Sequence, residues 1–144
     1  MSVAEQGAVS DRTVTGFTQN LAGSVLVVDD ELPNRLYLRK LLESRGCEVL
    51  DAEDGPSALD LAKSQQPELI LADVMMPGMD GFELCGRLKQ DPRTAHILVI
   101  MVTAKSKIED IETGFELGAM DYIRKPFTMD SLLDRIKRLL PDED

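Results

Sequence analysis

The chain has 144 residues, enough for one domain with its own core and too few to make a second one expected. Apolar residues make up 43% and charged residues 29%, and the net charge of −10 argues against nucleic-acid or anionic-membrane partners, which need a basic patch. No apolar run reaches membrane-spanning length, no positive stretch leads into an apolar one at the N-terminus, and neither the thiols Cys47 and Cys85 nor the single His96 stands at metal-ligand spacing, so the expectation is a cytoplasmic protein whose reduced thiols serve as small hydrophobes.

Residues 1–23 are small and polar, lack an apolar period, and read as a flexible leader. Order is expected from Ser24. Val25 to Val28 is a continuous apolar run, the pattern of a strand buried on both faces. Leu36, Leu38, Leu41 and Leu42 then predict a helix ending near Gly46, and Cys47 to Leu50 a second strand. A helix starting around Asp54 to Ser57 carries Ala58, Leu61 and Ala62. Glu68 to Ala72 is the third strand. Asp80, with Glu83 at capping-box spacing, begins the next helix. Ile97 to Val102 is the fourth strand, with His96 at its entry, and Ser106 with Glu109 repeats the capping-box spacing ahead of Ile108, Ile111 and Phe115. Met120 to Ile123 is a short fifth strand, and Thr128 caps a helix whose Met129, Leu132, Leu133, Ile136, Leu139 and Leu140 share a face. Strict alternation of strand and helix predicts an α/β fold, a parallel sheet covered on both faces by right-handed crossovers in three layers. The domain is expected over 24–140, with residues 141–144 an acidic tail.

The polar residues at the strand ends carry the chemistry. Asp29 and Asp30 follow the first strand, Asp73 the third, Thr103 the fourth and Lys125 the fifth. Open parallel α/β sheets bind ligands at that carboxyl edge. Carboxylates crowded there stay ionised only if a cation neutralises them, and an all-oxygen set suits Mg²⁺. A carboxylate is also a competent nucleophile toward phosphorus, and phosphoryl transfer asks mainly for positioning and charge neutralisation. Taken alone, an Asp pair is a turn or cap signal and a Lys-Pro pair a loop signal. An acid pair, an acid, a hydroxyl and a cation at four strand ends in that order is far more specific.

These residues resemble the receiver domain of two-component response regulators, the CheY-like family, over about residues 24 to 140. The matching stretches are Val25-Leu-Val-Val-Asp29-Asp30-Glu31, Asp73-Val-Met-Met-Pro77-Gly-Met-Asp80-Gly81, Met101-Val-Thr103-Ala104 and Asp121-Tyr122-Ile-Arg-Lys125-Pro126-Phe127. The resemblance implies a doubly wound, flavodoxin-like sheet of order 2-1-3-4-5 with five helices. It implies that Asp73 is the phosphoacceptor, that Asp30, Asp73 and the backbone carbonyl of Met75 bind Mg²⁺ directly, and that Asp29 helps through water. Lys125 is then expected to contact the phosphoryl oxygens ahead of a cis bond to Pro126, Thr103 to swing toward them with Tyr122 changing burial, and the backbone at Met75 and Ala104 to contact the phosphoryl group. Small Ala104 leaves the acceptor open. Pro77 and Gly81 read as loop and helix-start geometry, and Met75 and Met76 as loop packing, although Met75 and Lys105 occupy positions whose side chains tune hydrolysis in this family. Leu98 replaces a common proline, with no functional effect expected.

The resemblance further implies a phosphoacceptor signalling domain rather than an enzyme acting on other molecules. Its partners would be a sensor histidine kinase or phosphotransfer protein, and a downstream effector or a second copy bound through the fourth helix, fifth strand and fifth helix. The mixed charges of those helices do not name the partner. The chain can stand alone, pass its phosphoryl group along a relay, or be a receiver of a longer protein. For the last, the Asp30-Glu-Leu-Pro-Asn34-Arg35 start and the Met75-Met76 loop are similar to receivers of diguanylate cyclases and hybrid kinases. A phosphatase of the haloacid dehalogenase type needs a second Asp two residues after the nucleophile, where this chain has Met75.

Overall fold

The computed structural model describes residues 23–104 and 107–140. Its elements run β1 (Ser24–Val28), α1 (Leu32–Glu43), β2 (Glu48–Ala52), α2 (Gly55–Gln65), β3 (Leu69–Ala72), α3 (Gly81–Gln90), β4 (Leu98–Thr103), α4 (Ile108–Glu116), β5 (Asp121–Arg124) and α5 (Met129–Leu139). All strand pairs are parallel, in the order β2-β1-β3-β4-β5. This is the three-layer architecture expected from the alternating pattern.

Side chains of a strand point alternately to the two faces, so each strand feeds two cores. Val25 and Val27 of β1 join Leu38, Leu41 and Leu42 of α1 and Leu132, Leu133 and Ile136 of α5. Leu26 and Val28 join Ala58 and Ala62 of α2 and Leu84, Cys85 and Leu88 of α3. Cys47 lies in the first core and Cys85 in the second, and burial pushes both thiols up to about 11, the behaviour of small hydrophobes. Exposed His96 lies in the turn before β4.

Three helices start on side chains named by the sequence. Asp54, Asp80 and Thr128 accept the N–H of Ser57 (2.8 Å), Glu83 (2.9 Å) and Ser131 (3.0 Å). The Glu83 carboxylate pairs with Arg87 one turn on. Helix α4 starts instead with Lys107 at the cap position and no side-chain cap bond. The cap expected of Ser106 falls on a residue outside the described ones, as do Lys105, residues 1–22 of the leader and the tail 141–144.

Several strand ends differ by a residue or two from the apolar runs, because pairing rather than hydropathy sets them. β2 continues through Asp51 to Ala52, since Val27 and Val28 of β1 pair with those residues, and Arg39 meets the Asp51 carboxylate at 3.3 Å. β4 includes Thr103, which pairs with Arg124. Ile97 closes a turn onto the Thr94 carbonyl before the strand begins. Among the described residues no helix is long and apolar enough to cross a membrane.

Candidate functional site

The central strands bring the acids together. Val28 and Ala72 pair across β1 and β3, so Asp29 and Asp73 leave the sheet side by side. The Asp73 N–H donates to the Val28 carbonyl (3.0 Å) and the Asp29 N–H to that of Ala52 (3.2 Å). Asp29 is 3% and Asp73 8% exposed, whereas Asp30 is open to solvent. One carboxylate oxygen from each of the three lies within 4.8 Å of the others.

Lys125, half-buried just past β5, reaches back between them. Its Nζ lies 3.4 Å from Asp29 Oδ2 and 3.3 Å from Asp73 Oδ2. Its N–H donates to the Thr103 carbonyl (2.8 Å), and the Lys125–Pro126 bond is cis. Burial opposes its charge, but Asp73 and Asp29 outweigh that and the ammonium holds its proton more tightly than usual. Burial is also the largest influence on Asp73. With Asp29 it raises that carboxyl's affinity for a proton against the opposing Met75 N–H and Lys125. Among the described residues the Lys125 ammonium faces these three carboxylates, with the Arg35 guanidinium on the Asp29 carbonyl, so negative charge is in excess there.

The acids are not equivalent. Asp29 Oδ1 accepts the Glu31 N–H (2.9 Å), Oδ2 accepts Asn34 Nδ2 (3.3 Å), and its carbonyl accepts Arg35 Nη1 (2.8 Å). Asp73 Oδ1 accepts the Met75 N–H at 3.0 Å. Sequence reasoning assigned Asn34 and Arg35 no role at the site. The signal was present: Pro33 at the helix start puts the first turn of α1 directly over the end of β1.

The remaining candidates divide. Thr103 is fully buried at the end of β4, on the same face as Met101, which pairs with Tyr122. Tyr122 is buried in the second core, where a methyl group on Gly114 would come within 3.3 Å of its ring. Ala104 is exposed and, with Asp29, Asn34, Tyr37, Leu38, Lys125, Pro126 and Phe127, lines a cavity of about 540 Å³ that opens the acid edge toward α1. The expectation that both loop methionines pack is corrected. Met76 is buried in the second core, but Met75, whose N–H donates to Asp73, is 54% exposed. Gly81 is helix-start geometry: a Cβ there would lie 2.6 Å from the Asp73 carbonyl oxygen.

The family model for the response regulator receiver domain matches residues 25–137. The chain belongs to this family. The receiver is 44% identical over 119 residues to the response regulator PleD of Caulobacter vibrioides, covering 83% of this chain and 26% of that protein. It is 44% identical over 117 residues to the phosphate regulon transcriptional regulatory protein PhoB of Pseudomonas aeruginosa, covering 81% of this chain and 51% of that one. It thus spans about half or less of these curated relatives. Among solved structures it is similar to the chemotaxis protein CheY4 of Vibrio cholerae, at 32% identity and TM-score 0.77, covering 81% of this chain and 98% of that one. Receivers of this family are phosphoacceptor signalling domains, and the acidic cluster Asp29, Asp30 and Asp73 fits the Mg²⁺-binding, phosphorylated edge they use.

Proposed function

We propose that Asp73 is the residue this receiver phosphorylates, using a Mg²⁺ ion held by Asp30, Asp73 and the Met75 backbone carbonyl, with Asp29 assisting through water. The observation that carries the reading is the meeting, among the described residues, of three carboxylates, Asp29 and Asp73 buried and Asp30 exposed, with the Lys125 ammonium. The donor set fits the ion: all ligands are oxygens, and the Asp29 oxygens are already engaged by Glu31, Asn34 and Lys125, whereas Asp30 is open. When bound, Mg²⁺ supplies the positive charge that lets the carboxylates stay ionised together and offsets charge on phosphoryl oxygens.

The donor is a phosphohistidine on a sensor kinase or phosphotransfer protein. An Asp73 oxygen attacks phosphorus, the phosphorus–nitrogen bond breaks, and its electron pair returns to the imidazole. Lys125, held between Asp29 and Asp73, carries its charge to the phosphoryl oxygens. The Thr103 hydroxyl and the backbone N–H groups at Met75 and Ala104 donate to the same oxygens. Moving Thr103 toward them opens space on its face of the sheet, and Tyr122, its neighbour there, changes burial. The altered surface of α4, β5 and α5 then docks an effector or a second copy. The net charge of −10 supports a protein rather than a nucleic acid as partner of these residues. Residues 24–140 form the receiver, between a leader and an acidic tail. The greater length of the relatives favours a second reading, in which this receiver serves a longer protein, and the size of the native gene product decides between them.

Incubation with acetyl phosphate and Mg²⁺, followed by intact mass measurement and gel filtration, tests the proposal. The chain should gain one phosphoryl group, Asp73→Ala should gain none, and gel filtration should report any dimer. No gain in the wild-type chain, or an equal gain in Asp73→Ala, overturns it.

A further inference from the structure

The loop from Val74 to Asp80 carries Met75, and it is held at two glycines. At one end Gly81 lies against the main chain of Asp73 and Val74, and its N–H donates to the Val74 carbonyl (3.0 Å). Two residues before Gly81, Met79 fills the space beside Gly55, the buried first residue of α2. A Cβ on Gly55 would lie 2.4 Å from Met79 Sδ, 2.8 Å from its Cγ and 2.9 Å from its Cβ. The sulfur and Cγ can rotate away. The Met79 Cβ cannot, since it is fixed to the main chain, so any side chain at position 55 must push the loop backbone itself. Only three residues separate Met75 from Met79, and the Met75 N–H holds Asp73 Oδ1 at 3.0 Å.

We infer that Gly55 and Met79 are positioning residues for the acceptor site: the missing side chain on α2 lets Met79 seat, and the seated Met79 sets the loop that presents the Met75 backbone beside Asp73. The inference rests on the proposed Mg²⁺-dependent phosphorylation. Neither residue touches the reacting atoms. Their influence passes through the main chain between Met75 and Met79, so it falls on metal binding and acceptor geometry more than on the fold.

The test measures Mg²⁺ binding by calorimetry in the wild-type chain, Gly55→Ala, Met79→Gly and the double variant, with melting in chelator as the measure of folding. Gly55→Ala should bind Mg²⁺ about tenfold more weakly, the loss typical when a group that orients ligands is disturbed. Met79→Gly should also weaken binding, because the loop loses the side chain that seats it, but by less, since Gly81 and the Met75 N–H still hold the loop. In the double variant glycine at 79 removes the Cβ that a methyl at 55 would strike, and affinity should return to that of Met79→Gly. A purely structural role predicts that the variants differ in melting in chelator while the folded chains bind Mg²⁺ equally well. Unchanged binding in Gly55→Ala, or a double variant no better than it, overturns the inference. If Gly55→Ala does not fold, recovery of both folding and Mg²⁺ binding in the double variant supports the inference, and failure to recover them overturns it. A wild-type chain that binds no Mg²⁺ overturns the proposed function along with the inference, whereas wild-type binding with an indifferent Gly55→Ala overturns the inference alone.

Discussion

The two edges of one sheet treat a half-buried lysine in opposite ways. At the amino edge Lys89 donates from Nζ to the carbonyls of Ala95 (3.1 Å) and Ile97, and burial lowers its proton affinity. Around it Thr94 Oγ1 donates to the Leu88 carbonyl (2.7 Å) and Gln66 Nε2 to that of Arg93 (3.0 Å). Side-chain donors there close off main-chain acceptors and leave little to attract a ligand. At the carboxyl edge Lys125 faces two carboxylates, a third stands nearby, and proton affinity rises for both Lys125 and Asp73. Among the described residues the same fold closes off the acceptors of one edge and leaves the other with an excess of negative charge, and that excess defines the site.

The contrast breaks most visibly on the lysines. Lys125→Ala should slow phosphoryl uptake from acetyl phosphate roughly 100-fold, the loss expected when one preorganised donor to developing charge is removed. Lys89→Ala should leave uptake per folded molecule unchanged. Intact mass time courses on both variants decide it, and equal losses would mean that the edges do not divide the work. Next in size, Thr94→Val should destabilise the chain by about 1–3 kcal/mol, because the Leu88 carbonyl loses a buried donor. Urea unfolding measures this, and uptake should again be unchanged.

Metal addition and pH sharpen the same comparison. Mg²⁺ at ten times its dissociation constant should stabilise the wild-type chain by about 1.4 kcal/mol and Asp30→Ala by much less, read as melting shifts. In chelator the Asp73 carboxyl has a folded pKa raised above its ordinary 3.8. Its contribution is therefore fully present below that value and lost as pH rises through the folded one. Asp73→Asn should gain on wild type in stability as pH climbs out of the acid range, and Mg²⁺ should narrow the gap. A gap that stays constant with pH would remove the excess of negative charge from the explanation.

Much of this edge was legible in the sequence, because apolar runs and capping residues mark where strands stop, and the polar residue just past each stop carries its chemistry in its side chain. Asp29, Asp30, Asp73, Thr103 and Lys125 all end up at the carboxyl edge. Less visible were features set by pairing or by main-chain partners. Thr103 belongs to its strand because Arg124 pairs with it, and no apolar pattern reports that. Arg35 holds a carbonyl, which has no letter in the sequence. Gly55 and Met79 meet across 24 positions, and a glycine's value there lies in an atom it lacks. The amino edge was hardly legible, since Thr94, Lys89 and Gln66 act on carbonyls and follow no motif.

The smallest effect concerns an apolar side chain exposed two residues past the acceptor. Met75 is two residues past Asp73 and 54% exposed, and its thioether cannot hold a water strongly. At the amino edge the amide of Gln66, at the end of α2, bonds the carbonyls of Ala62, Lys63 and Arg93. Placing an amide beside Asp73 brings that capacity to the edge that lacks it, where it can orient a water toward the phosphoryl group. Met75→Asn should therefore shorten the life of the phosphorylated state severalfold without changing its rate of formation or the melting temperature. A phosphate-release time course after removal of the donor checks this. An unaltered decay would mean that the exposed methionine does not govern how long the signal lasts.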